Sequence, residues 1–457
     1  MRAATLSLAL ALAASTALAA GTAMAEQTKF TATLKGHAFI PAATFAVPPA
    51  DAPRGFTVSG RFTTKDNART EALYSVEGRT WIGAKDAPKR ATGLSLPFVG
   101  QPIQGFSGVK YIGEGVYWAL SDNGFGNKVN SPDAMLMAHK LRPDWESGRV
   151  EIIETVFLSD PDGVLPFRLA TEFTEARYLT GADFDIESIQ PVGDQLWFGD
   201  EFGPYLFATD LQGRVTFITE TKLGDRVLRS PDHPGLKLPN LPETVTFDVR
   251  RSRGFEGMAQ SPDGATLYPL IEGPIWDAEA GAVEMTDGKE YLRLLEFDVA
   301  SQSWTGRNWT YPLEVNGNNI GDFNMISETR GLVIERDGGE GVPELACPQG
   351  TSGLDCFYKP AAFKRVYLIE LGEPGTPVAK LGYVDLMDIE DPDGVARIGG
   401  QDGKFTFPFV TIEDVDMVDA SHIIVGNDNN LPFSTGRTIG APDMNEWILL
   451  EVGDMLK

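Results

Sequence analysis

The chain has 457 residues, 64 acidic side chains against 39 basic ones, a formal net charge of −25 and two cysteines. A surface this acidic makes nucleic acid and anionic membranes poor partners and cations good ones. The four histidines, His37, His139, His233 and His422, show no HxH or HxxxH spacing, which argues against a histidine-built zinc, haem or blue-copper centre, and no G-x-S-x-G elbow marks a serine hydrolase.

Residues 1–25 read as a secretory signal, with Arg2 as the positive start, residues 6–20 as the apolar stretch and Ala23-Met24-Ala25 as a small-x-small cleavage site. The stretch is short and alanine-rich for a membrane span, and no later run reaches about 18 apolar residues. The expected product is an exported monomer, periplasmic or secreted, in which residues 26–457 form one domain. Its first part reads as β-rich, with strands expected at 30–34, 56–63 and 73–76 between proline-marked loops.

A repeated pattern follows: an apolar run carrying one polar residue, a tight turn, a second apolar run, then an acidic loop. It is clearest in residues 182–207, ADFDIESIQPVGDQLWFGDEFGPYLF, which read as a β-hairpin with a carboxylate at the end of each arm. Other copies start at Gly105-Phe106-Ser107-Gly108, Gly254-Phe255-Glu256-Gly257, Phe323-Asn324-Met325 and Ile412-Glu413-Asp414. Aligned, they put Ser107, Glu187, Glu256, Asn324 and Glu413 at one register. Asp122, Glu201, Glu272, Asp337 and Asp428 fall at a second. Copies 68 to 89 residues apart, with further strands between them and no convincing amphipathic helix, suit four-stranded antiparallel propeller blades. The expected fold is an all-β propeller. Six blades are favoured over five, the sixth completed by the N-terminal β segment pairing with the strand near Trp447.

In a propeller the first strand of each blade lines the central channel, so one register makes a ring. Carboxylates at the second register are also ordinary turn formers. At the first, Glu187, Glu256 and Glu413 sit inside apolar runs, where a turn does not account for them. Ca²⁺ takes six to eight oxygen ligands, and acids from several blades match that need. Glu187, Glu201, Glu256, Glu272, Glu413 and Asp428 are the candidate metal ligands. Arg253 and Arg330 border the repeats and suit phosphate or carboxylate groups, although in so acidic a chain each has acids to pair with. Cys347 and Cys356 bracket eight residues and read as a disulfide in an exported chain.

The motifs GFSGV…SDNG, DIESI…DEFGPYLF, GFEGM…SPDG and TIEDV…NDNN together resemble the phytase-like domain of exported bacterial proteins, described by an esterase-like activity of phytase. The resemblance spans roughly residues 97–457. It implies a β-propeller and, through looser similarity to alkaline β-propeller phytases, a calcium-dependent hydrolase of phosphate esters or related esters. On the register, Glu187, Glu256 and Glu413 would hold the metal or act as base in such a reaction, with Arg253 and Arg330 clamping the phosphate. The Asp-Asp-Pro signature of those phytases is missing here, so phytate itself is not implied. The alternative is a non-catalytic propeller that binds a ligand or another exported protein, with structural calcium.

Overall fold

The computed structural model describes residues 27–78, 89–236 and 245–457; the signal stretch at residues 1–25 lies outside them. Among the described residues the only helical elements are three short 3-10 turns. No helix among the described residues is long and apolar enough to cross a membrane.

Each repeat opens a four-stranded antiparallel sheet. The first comprises Phe106–Tyr111, Tyr117–Ser121, Met137–Asp144 and Arg149–Phe157. The second comprises Ile186–Val192, Gln195–Asp200, Tyr205–Asp210 and Val215–Glu220, and the third Phe255–Gln260, Thr266–Ile271, Lys289–Asp298 and Ser303–Pro312. The fourth is Asn319–Met325, Arg330–Arg336, Lys364–Glu370 and Ala379–Asp385, and the fifth runs Asp414–Met417, His422–Gly426, Asn445–Glu451 and Thr33–Ile40. Strand composition follows position. Tyr117–Ser121 is buried along its whole length, whereas the outer Arg149–Phe157 alternates charged and apolar residues toward solvent.

The first strand of each sheet packs on the first strand of the next, and that of the fifth packs on the first. A separate apolar core fills each junction. Leu120, Ile189 and Phe198 join sheets one and two, and Trp197, Met258 and Phe297 join two and three. Leu294, Phe323 and Tyr367 join three and four, Ile334, Val366 and Val425 join four and five, and Val109, Tyr117 and Trp447 close five onto one. This cyclic arrangement is a β-propeller. Among the described residues five repeat-led sheets form the ring, where six blades were favoured over five from sequence. The fourth carries Thr28–Phe30 as an added parallel strand, and the first and fifth are joined at Arg149 and Phe39. The N-terminal segment does pair with the strand near Trp447, Ala38 lying opposite it, but as the outer strand of the fifth sheet. The stretch 56–63 also departs from expectation, dividing into the 3-10 turn Arg54–Thr57 and the short strand Val58–Ser59, with Gly60 turning away at φ +81°.

Candidate metal centre

A β-bulge positions the site. In the second sheet Ile186 pairs with Asp200 and Ser188 with Gly199, leaving Glu187 unpaired; in the third, Phe255 pairs with Ile271 and Gly257 with Leu270, leaving Glu256 unpaired. Bulges re-aim a side chain out of the sheet, and here both glutamates turn into a cavity of about 390 Å³ at the channel end. The first sheet is irregular at Ser107-Gly108 and the fourth at Gly321-Asp322. The inner ring is therefore Ser107, Glu187, Glu256, Gly321 and Glu413. A second ring follows from the backbone: Asp122, Glu201 and Glu272 donate their N–H groups to Gly105, Asp185 and Gly254, each two residues before the bulge. In the fourth sheet the residue facing that position, Asn319, is Arg336. Asp428 completes the ring.

Eight carboxyl groups line the cavity: Asp122, Asp185, Glu187, Glu201, Glu256, Glu272, Glu413 and Asp428. They face Arg253, Arg336 and Lys359. All eight carboxyl groups are buried or on its margin. Burial, reinforced by neighbouring acids, holds Asp122, Glu187, Glu201 and Glu256 well above the usual carboxylate range, and pushes Asp428 up to about 8. Burial also takes Asp185 up to about 6, against the hydrogen bonds from Glu187 and from Asn123, whose Nδ2 donates to Oδ1 at 2.6 Å.

The two guanidiniums compensate one half of this charge. Arg336 donates to Glu413 and, at 3.4 Å, to Glu256 Oε1, and it lies 4.0 Å from Glu272. Burial works against its charge, yet these acids outweigh it and raise its pKa. Arg253 pairs with Glu272, whose charge chiefly raises the Arg253 pKa. Glu413 also accepts from Ser107 Oγ at 2.9 Å.

Carboxylate oxygens approach within 4.8 Å of one another in two triads, Asp185–Glu187–Glu201 and Glu201–Glu256–Glu272. Glu201 belongs to both, and its buried Oε1 has no hydrogen-bond partner. An all-oxygen donor set with an orphaned buried carboxylate oxygen fits a hard divalent cation.

Three residues further along the inner strands, a polar layer fills the axis. Asn324 Oδ1 accepts from Lys110 Nζ at 3.1 Å and from Gln190 Nε2 at 3.0 Å; its Nδ2 donates to the carbonyls of Val109 and Val415. Gln190 also donates to Met258 O and Lys110 to Asp416, so all five sheets meet in this layer.

The structure places Glu187, Glu201, Glu256, Glu272, Glu413, Asp428 and Arg253 on the lining of one cavity. Arg330 is a correction. It sits at the far end of its strand, paired with Glu370 at 3.2 Å and donating to the Lys457 carbonyl, away from the cavity. Asn324 and Asp337 are corrections as well: Asn324 lies in the polar layer, and Asp337 accepts from the backbone of Gly339 and Ala362. Asp185 and Arg336 escaped the sequence reading. Asp185 stood in plain view two residues before Glu187, whereas Arg336 breaks the acidic pattern that the alignment followed. The cysteines do form the expected bridge, Cys347–Cys356.

A secreted protein of Arthroderma benhamiae, itself described as uncharacterized, is 24% identical over 235 residues, 41% of this chain and 45% of its own length. The chain thus spans less than half of that relative. Among solved structures, a periplasmic gluconolactonase of Pseudomonas aeruginosa matches with a TM-score of 0.32 at 12% identity, over 84% of this chain and all of its own. A calcium-binding regucalcin of Agrobacterium tumefaciens matches with a TM-score of 0.31 at 12% identity, over 77% of this chain and 93% of its own. Residues 101–431 match the phytase-like family described as esterase-like activity of phytase, and the chain belongs to that family.

Proposed function

We propose that the protein is an exported hydrolase of phosphate esters or related esters, acting with a divalent cation, calcium by ligand type, in the carboxylate chamber. One observation carries the reading: two buried acid triads share Glu201, whose Oε1 has no protein partner. Membership of the phytase-like family supports the reaction class. Export is supported by the signal-like residues 1–25 and by the relative named as secreted.

Each residue has work to do in this reading. Asp185, Glu187 and Glu201 would hold the cation. Bound there, it would supply neutralising charge for the substrate's anionic oxygens and a more acidic water. Arg253, whose side chain is 36% exposed, would meet an entering anion together with the exposed Lys359 of the same cavity, and Glu272 holds the Arg253 guanidinium in place. Burial, with the neighbouring acids, raises the Glu256 carboxyl above the usual carboxylate range, which suits it to protonate a leaving oxygen. Arg336, occupied by three glutamates, positions them.

The test is hydrolysis of p-nitrophenyl phosphate, bis-p-nitrophenyl phosphate, p-nitrophenyl acetate and a γ-lactone by the purified protein, with calcium and with chelator. Calcium-dependent turnover of one of these is expected. Failure on all four across the pH range would overturn the reading.

A further inference from the structure

The two acid triads are not equivalent. Glu256 and Glu272 already face Arg336 and Arg253, whereas no Lys or Arg comes within ion-pair distance of Asp185, Glu187 or Glu201 among the described residues. Those three carboxyl groups are each at most 8% exposed. Buried carboxylates without a counter-charge are costly, and Glu201 Oε1 is the polar atom left unsatisfied.

The strand registers explain the asymmetry. Sheets two and three each supply a glutamate at the bulge and a second at the next strand's end. The fourth sheet supplies Gly321 and Arg336 at those positions. A side chain at Gly321 is ruled out by space, since a Cβ there would lie 2.2 Å from the Ile412 carbonyl oxygen. The Arg336 guanidinium instead reaches the acids on either side, Glu256 of sheet three and Glu413 of sheet five.

Resting on the reading that the chamber takes a divalent cation, we propose that it takes one and not two. Asp185, Glu187 and Glu201 hold it, and Arg336 stands in the place of a second. A fixed guanidinium there leaves the third-sheet side of the chamber, with Arg253, to the anionic part of a substrate.

Calorimetric titration of CaCl₂ into chelator-stripped protein tests the assignment. One calcium per chain is expected. Glu201→Gln should weaken it at least tenfold, while the double variant Glu256→Gln/Glu413→Gln should keep its affinity within about threefold. Arg336→Met should raise the stoichiometry to two, with circular dichroism confirming the fold. Two calcium ions on the unaltered protein, a tenfold loss in the Glu256/Glu413 variant, or a folded Arg336→Met variant that still binds one would each overturn the proposal. Should Arg336→Met not fold, the stoichiometry of the unaltered protein and the two glutamine variants decide the matter. A single bound calcium with no ester turnover would remove the hydrolase reading and leave this assignment standing.

Discussion

Arg437 holds Glu446 through two hydrogen bonds, Nε to Oε1 at 3.1 Å and Nη2 to Oε2 at 2.7 Å, and both side chains are closed off from solvent. His37, on the strand that completes the fifth sheet, has Nε2 3.1 Å from the same carboxylate. Burial alone would raise the Glu446 carboxyl, but Arg437 and His37 bring it below the usual range. Arg437→Met leaves a buried carboxylate without its main partner, and a loss of about 3–5 kcal/mol is expected. The check is the urea midpoint at unchanged slope; a shift worth less than about 1 kcal/mol would show that the pair does not anchor the closing strand. Because the folded carboxyl sits below its unfolded value, this contribution is present above about pH 4 and fades as the pH falls through the lower folded value.

The chamber responds to pH in the opposite sense. Asp185 and Asp428 are raised, to about 6 and about 8, chiefly by burial. Groups raised on folding contribute stability that is complete below their unfolded value, about 4, and lost as the pH rises through the folded values. Chelated protein should therefore melt at a higher temperature near pH 5 than near pH 8. Saturating calcium should flatten that slope, by favouring the charged carboxylates. A calcium-independent pH profile of the melting temperature would contradict the cluster's role.

Arg253 and Arg330 separate the geometric reading from the sequence reading. Arg253→Lys keeps the charge but loses the planar donor pair, and kcat/KM should fall about 10- to 100-fold, equivalent to about 1.4–2.7 kcal/mol of transition-state stabilisation. Arg330→Ala removes a partly exposed pair with Glu370 and a surface hydrogen bond to the Lys457 carbonyl. It should leave kcat/KM within about twofold and stability within about 1 kcal/mol. Reversed outcomes would place the anion site at the other end of the fourth sheet.

The Cys347–Cys356 bridge closes a short loop beside Phe357, whose ring lies 4.8 Å from the Arg90 guanidinium carbon. Replacing both cysteines by serine should cost about 2–3 kcal/mol, through the freedom regained by the unfolded loop. Urea unfolding of the variant should superimpose on that of the reduced protein. Matching midpoints for oxidised and reduced protein would show that the bridge constrains little.

How far the sequence carries the reading depends on the copy. In the second, third and fifth, a glutamate within an apolar run marks the inner ring, at a bulge in the second and third. Periodicity alone then places Glu187, Glu256 and Glu413 together. The fourth copy misleads, because its bulge residue is Gly321 and its second-ring residue is a cation. Aligning by the apolar run shifts the frame three residues to Asn324 and one to Asp337. Asp185, two residues before Glu187, carries a signal the sequence offered but the register alignment did not use, and its carbonyl accepts from the Glu201 N–H. The blade count turned on strand 33–40, whose pairing was legible although its membership of the fifth sheet was not.

The hydrogen-bonded layer around Asn324 gives the acidic chamber a floor. On the chamber's lining Arg253 stands nearer solvent, its side chain 36% exposed, than the buried Asp185, Glu187 and Glu201 do. Small ions can slip past an empty entrance, but a bulky anion lodged on that arginine would block the passage behind it. On the proposed hydrolase reading, loading would be sequential, metal ahead of ester, and a spent product would back out before the innermost carboxylates exchange what they hold.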